Sequence, residues 1–183
     1  MNLLIRLFIT TLVSFFKPKL GLEDTAHVKG RTWPWDYDIQ GHMTNTRFLA
    51  LADLSIFQFL LRSRVYRYFA SNKLLPVVVT REVRFKRILK FPRPYTIYTR
   101  MAYWDEEYYC WKQVFESEGK YTAEIYTLGV ILKQGTRDKF SPKQVTRDLI
   151  GEALEAPSPD ETIAHLLRKA KIRPELEEAL EGF

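Results

Sequence analysis

One segment gathers the residues whose types and spacing could do chemistry: Asp36-Tyr37-Asp38-Ile39-Gln40-Gly41-His42-Met43-Thr44-Asn45-Thr46-Arg47-Phe48. It lies between a stretch of strand character and a long apolar helical pattern. Its carboxylates therefore fall beside a helix N-terminus, where unpaired backbone N–H groups and the helix dipole favour negative charge. Gly41 lets the backbone bend and come close to a ligand. A carboxylate facing backbone donors is what acyl hydrolysis requires: one group activates or replaces water, the other holds the developing oxyanion. Asp and Asn before a helix also serve as plain caps, worth about 1 kcal/mol. This segment differs in opening a helix that is apolar on nearly every side.

The elements that must position it follow from the hydrophobic pattern. Residues 26–35, with Val28, Thr32 and two Trp, suit a first strand broken by Pro34. Residues 44–69 read as a helix, with Phe48, Ala52, Ile56, Phe59 and Leu60 at helical steps and Leu49, Leu51, Leu54 and Phe57 on its other sides. Such a helix is expected to be wrapped by other structure. Strands are expected at residues 77–89, Pro94–Trp104, 108–118 and 121–134. The links 105–107 and 119–120 have hairpin length, so the last three strands form an antiparallel meander. In the tail, Ser158-Pro159-Asp160-Glu161 reads as a capping box, and Pro174 as the start of a short acidic helix.

Composition bounds the function. The chain has 183 residues, 46% hydrophobic and 27% charged, enough for one well-packed domain and too apolar for disorder. One Cys excludes internal disulfides and Cys-based zinc clusters, and His27, His42 and His165 lie too far apart to form a metal-binding pair. No metal and no cofactor is expected. The net charge of +6 favours an anionic partner. Arg81, Arg84, Lys86, Arg87, Lys90 and Arg93 crowd one strand and the loop after it, either as a phosphate cradle or as a solvated strand face. A nucleic-acid surface is the third reading of that group, but Val83, Phe85 and Ile88 are accounted for as core, so no nucleic-acid partner is expected. Asp53, on the apolar helix at a depth where charge is costly, either contacts substrate or pairs with an Arg. Asp36 reads as a cap or turn residue, with a second acid as the lesser reading, and Cys110 reads as core.

Residues 2–16 form an apolar run interrupted by Arg6 and followed by Lys17, Pro18 and Lys19. They are fewer than the roughly 20 needed to span a bilayer, and no small-residue cleavage site follows. Packing on the domain or on a partner subunit and peripheral membrane contact are both open. The localisation expected is cytoplasmic, with membrane association through this segment as an option.

Residues 38–45 followed by Phe48 resemble the D-x-x-G-H-V-N-N-x-x-Y signature of 4-hydroxybenzoyl-CoA thioesterase-like hotdog proteins, with Met43, Thr44 and Phe48 as departures. The resemblance covers roughly residues 26–134. The long leader and Trp-rich first strand are further similar to the thioesterase superfamily member 6 group. The resemblance implies an α+β hotdog fold, a curved antiparallel sheet around one central helix, over residues 21–140. A leader helix (1–20) and a helical extension (141–183) flank it. It implies a homodimer or dimer of dimers and an acyl-CoA substrate hydrolysed to free acid and CoA. On this alignment Asp38 is nucleophile or general base, and Gly41 and His42 form the motif's turn. The backbone near Asn45 and Thr46 polarises the thioester carbonyl. Phe48, Asp53, Arg81, Arg84 and Arg87 are the expected substrate-binding residues. A degenerate copy that binds acyl-CoA without turnover is the alternative.

Overall fold

Alternation along the strands decides which side chains meet the central helix and which meet the back of the sheet. The computed structural model describes residues 2–136, 138–151 and 154–180, with residues 2 and 172–180 described by backbone alone. Its elements are α1 (Asn2–Phe16), β1 (Ala26–Arg31), a 3-10 turn (Pro34–Asp36), α2 (Asn45–Arg62), α3 (Val65–Ser71), β2 (Leu74–Phe85), β3 (Pro94–Trp104), β4 (Tyr109–Ser117), β5 (Lys120–Lys133), β6 (Lys139–Phe140), α4 (Pro142–Ile150) and α5 (Glu161–Leu180). The sheet is antiparallel in the order β1-β3-β4-β5-β2, with β6 added to β5. The meander β3-β4-β5 is as expected, with Ile97 opposite Phe115 and Phe115 opposite Ala123.

On one face Phe48, Leu51 and Ala52 of α2 pack against Ile97, Phe115 and Ile125, and Phe59 packs against Trp111. On the other, Ile163 and Leu166 of α5 cover Cys110, Tyr126 and Leu128. This is the hotdog arrangement, a curled antiparallel sheet around a central helix. Cys110 is fully buried, and burial pushes its thiol up to about 12.

The helix expected over 44–69 is two helices. Ser63 turns extended (φ −96°, ψ 168°) while its N–H still bonds the Phe59 carbonyl, and α3 starts anew at Val65. β2 begins at Leu74 and runs through Pro76, which a strand tolerates only at a sheet edge, and β2 is the edge. The cap of α5 is Asp160 rather than Ser158: its Oδ1 accepts the Ile163 N–H at 2.9 Å. The helix continues through Pro174 without a new start. α4 falls within the helical extension expected over 141–183, and Ser141-Pro142 marks its start: Ser141 Oγ accepts the Gln144 N–H at 3.1 Å.

The expected localisation, cytoplasmic with membrane association through residues 2–16 as an option, is corrected by the helix found there. Among the described residues no helix is long and apolar enough to cross a membrane. α1 instead lies along α2 as an element of the domain. Arg6, which interrupts its apolar run, is buried with Nη2 2.5 Å from the Asp36 carboxylate. A charge in the middle of an apolar helix is accommodated here by a buried partner, not by water or lipid headgroups.

Candidate functional site

After the 3-10 turn the chain folds into a tight hairpin. Tyr37 pairs with Met43, the Asp38 N–H donates to the His42 carbonyl at 3.0 Å, and the Gly41 N–H donates to the Asp38 carbonyl at 3.0 Å. Gly41 sits at φ 71°, the left-handed region in which glycine is unstrained. The Asp38 side chain closes this turn: its Oδ1 accepts the N–H of Gln40 at 2.9 Å and of His42 at 3.0 Å. These bonds, His42 foremost, hold its carboxyl below the usual carboxylate range, so it is an anion at neutral pH. The Met43 N–H donates to the Leu89 carbonyl at 3.2 Å and His42 bridges to Lys90, which ties the hairpin to the segment after β2.

The start of α2 lines a cleft together with this turn. Thr44 is the N-cap residue, yet its hydroxyl does not cap; it meets the Thr46 hydroxyl at 3.1 Å. Asn45 and Thr46 are the first two helical residues, and N–H groups at those positions have no carbonyl one turn back to bond. Asp38, His42, Thr44, Asn45 and Thr46 form one wall of a cleft of 510 Å³, and Phe85, Lys86, Arg87 and Ile88 form the other. Phe48 makes its floor, buried edge-to-face between Phe85 (5.3 Å between ring centres) and Phe115 (5.2 Å).

Asp38 is exposed on the single chain. Its turn lies beside an open cleft. The other expected residues separate. Arg87 lines the cleft, with Nη1 2.9 Å from the Tyr121 carbonyl oxygen. Arg81 pairs with Asp53 further along α2, at a second, apolar cavity of 180 Å³ lined also by Ile56, Phe57, Met101, Tyr109 and Trp111. The Asp53 side chain is 54% exposed, so its charge is not deeply buried as expected. Arg84 faces the back of the sheet, where Nη2 reaches Glu82 at 2.6 Å and Thr162 of α5 at 2.8 Å. The period-two alternation of β2 separates it from Arg81 and from the cleft. Arg93 pairs with Glu118. Of the basic group, Lys86 and Arg87 share the cleft with Asp38.

Phe85 and Ile88, read from sequence as core, are exposed and line the cleft. The available signal was position: Phe85 ends β2 and Ile88 lies beyond it, where the ladder to β5 stops. Among the described residues no three of His, Cys, Asp and Glu converge as a metal site.

Similar proteins place the chain in a family. Protein THEM6 of Xenopus laevis is 24% identical over 139 residues, covering 76% of this chain and 65% of the frog protein, so the chain spans about two thirds of that relative. Protein THEM6 of Danio rerio is 26% identical over 141 residues, covering 77% of this chain and 68% of the fish protein. Among solved structures, YbaW from Escherichia coli, a probable thioesterase, superposes with a TM-score of 0.64 at 16% identity, covering 70% of this chain and 98% of that one. At such identity the likeness concerns the fold. The sequence pattern of the thioesterase-like superfamily matches residues 32–180, and with most of its length so matched the chain belongs to that superfamily.

Proposed function

We propose that the protein hydrolyses acyl-CoA thioesters. The observation that carries this reading is a shared cleft: an ionised Asp38 on its rim and, on the same wall, a helix N-terminus whose capping side chain leaves the first amides free for a ligand. A thioester carbonyl held by the N–H groups of Asn45 and Thr46 would have its developing oxyanion stabilised by two fixed donors. Losing one such donor typically costs about 3 kcal/mol of transition-state stabilisation. Asp38 then acts in one of two ways. As nucleophile, it attacks the carbonyl carbon, CoA leaves as thiolate, and water hydrolyses the resulting anhydride. As general base, it takes a proton from water, the hydroxide adds to the carbon, and the C–S bond breaks. Both give one carboxylate and one CoA thiol for each water consumed.

Lys86 and Arg87 on the facing wall offer cations to the CoA phosphates. A Staphylococcus aureus protein of similar fold (TM-score 0.61, 9% identity, covering 78% of this chain and 94% of that one) was solved in complex with CoA, which supports the ligand class. The half-buried face of α2 leads from the cleft toward the apolar cavity beside Trp111 and Met101, a path suited to an acyl group. A second copy of the chain would close it. β2 is an open edge with Leu75 and Val78 exposed, and antiparallel pairing of two such edges gives a symmetric dimer.

The test is a panel of acyl-CoAs of graded chain length with free-thiol detection. Release of one thiol per acid formed, saturable in substrate, supports hydrolysis. A second reading, binding without turnover, is favoured by one observation: on a single chain Asp38 is exposed and its Oδ1 is engaged by its own turn. Tight acyl-CoA binding with no thiol release across the panel would establish that reading instead.

A further inference from the structure

Asp36 lies two residues before Asp38, and its side chain is almost wholly buried, 1% exposed. Its Oδ2 takes Arg6 Nη2 of α1 at 2.5 Å and the Trp33 N–H at 2.8 Å, while Oδ1 lies 3.8 Å from Nε of Arg47 in the first turn of α2. Its backbone carbonyl accepts the N–H of Thr44, the N-cap of α2, at 3.1 Å. One residue thus ties together α1, the hairpin that carries Asp38, and the mouth of α2.

Arg6 is built into this junction. Its guanidinium lies 4.8 Å from the centre of the Trp33 ring, and Nη1 donates to the Tyr95 hydroxyl at 3.3 Å. Gly30 leaves room for that tyrosine, since a side chain there would collide with its ring. Arg6 also lies outside the superfamily-matched residues 32–180, whereas Asp36 lies within them. The strut is therefore contributed by the part of the chain that precedes the matched fold.

We infer that Arg6 and Asp36 are positioning residues: α1, through the Arg6–Asp36 pair, fixes the Asp38 hairpin relative to the N-terminus of α2. The inference rests on the thioesterase reading for its kinetic consequence, but not for its structural one. Asp38 lies on the first arm of the hairpin and Asn45 directly follows its second, so the bond from the Thr44 N–H to the Asp36 carbonyl closes the base of the turn that holds the Asp38 carboxylate. Asp36 spans that base: it bonds Thr44 with its carbonyl and Arg6 with its carboxylate. Release of Asp36 lets the Asp38 turn drift relative to the start of α2, and a misplacement of about 1 Å costs on the order of 10²-fold in rate.

The experiment uses the full chain with Arg6→Met, Asp36→Asn and the conservative Arg6→Lys. Leu166→Ala, in α5 on the opposite face of the sheet, serves as a destabilised control. Three quantities are read: kcat and KM on the best acyl-CoA substrate, hydrogen exchange of the Gln40 and His42 amides, and the carbon-13 titration of the Asp38 carboxyl. Arg6→Met and Asp36→Asn are expected to lower kcat about 10- to 100-fold with KM within about threefold. They should also speed exchange at Gln40 and His42 at least about tenfold and move the Asp38 titration up toward the ordinary carboxylate range. Arg6→Lys should restore most of each, and Leu166→Ala should alter none. Unchanged exchange and titration in both Arg6→Met and Asp36→Asn overturn the inference. So does a kcat loss that Leu166→Ala reproduces. If the wild-type chain turns over no thioester, the thioesterase reading fails by itself, and exchange and titration still decide the positioning role.

Discussion

Two N–H groups of its own turn hold Asp38 ionised, and this fixes how the proposed activity must respond to acid. A carboxyl whose folded-state pKa is depressed remains an anion until the pH falls through that lowered value. kcat/KM is therefore expected to stay level from neutral pH down past the ordinary Asp value of about 3.9 and to fall only below it. A pH–rate profile over the range in which the fold persists checks this, and an acid limb centred near 5 to 6 would contradict it. Asp38, Gly41 and His42 were legible in the sequence because a local motif carries them on consecutive residues. Asp36 and Arg6 were not. Their bond joins residues 30 apart, and nothing in either neighbourhood names the other. Arg6 showed only as an interruption in an apolar run, and Asp36 as one polar turn residue among several.

At the scale of elements, β3, β4 and β5 could be placed to within about a residue because their alternation is strong and their links are short. β2 was misplaced because Pro76 argues against a strand unless the edge position is known, and that is a property of the assembled sheet. The break at Ser63 had no Gly or Pro to announce it. α5 makes a testable case. Asp160 caps it through the Ile163 N–H and accepts the Tyr126 hydroxyl at 2.9 Å, clasping the helix to the back of the sheet. Burial works to raise the Asp160 carboxyl, and the Ile163 N–H and Tyr126 hydroxyl overcome it, so the net pKa is lowered. Its stabilisation is present above the unfolded-state value and is lost as pH falls through the folded one. Asp160→Ala is expected to cost about 1 kcal/mol, a melting temperature lower by roughly 2–4 °C, with the difference from wild type shrinking in acid. Thermal unfolding at neutral pH and near pH 3 reads both effects.

The whole molecule leaves one side unfinished. The outward face of α2 is half-buried rather than wrapped, β2 offers an unpaired edge, and Asp38 stands at an open cleft. An all-round apolar helix suggested enclosure from sequence, but a single chain covers only the face that meets the sheet. In the proposed dimer a second copy supplies the remaining cover. Val78→Asp, a charge on the exposed edge, is expected to convert a dimer into a monomer in sedimentation and to lower thioester turnover at least about tenfold. A monomeric wild type with full activity would refute the dimer. The claim on which everything else depends concerns one carboxylate, and Asp38→Asn keeps its shape while removing the charge. In a variant shown to be folded and in the wild-type oligomeric state, thiol release from acyl-CoA is expected to fall about 10²- to 10⁴-fold with substrate binding retained. Turnover equal to wild type would contradict the account.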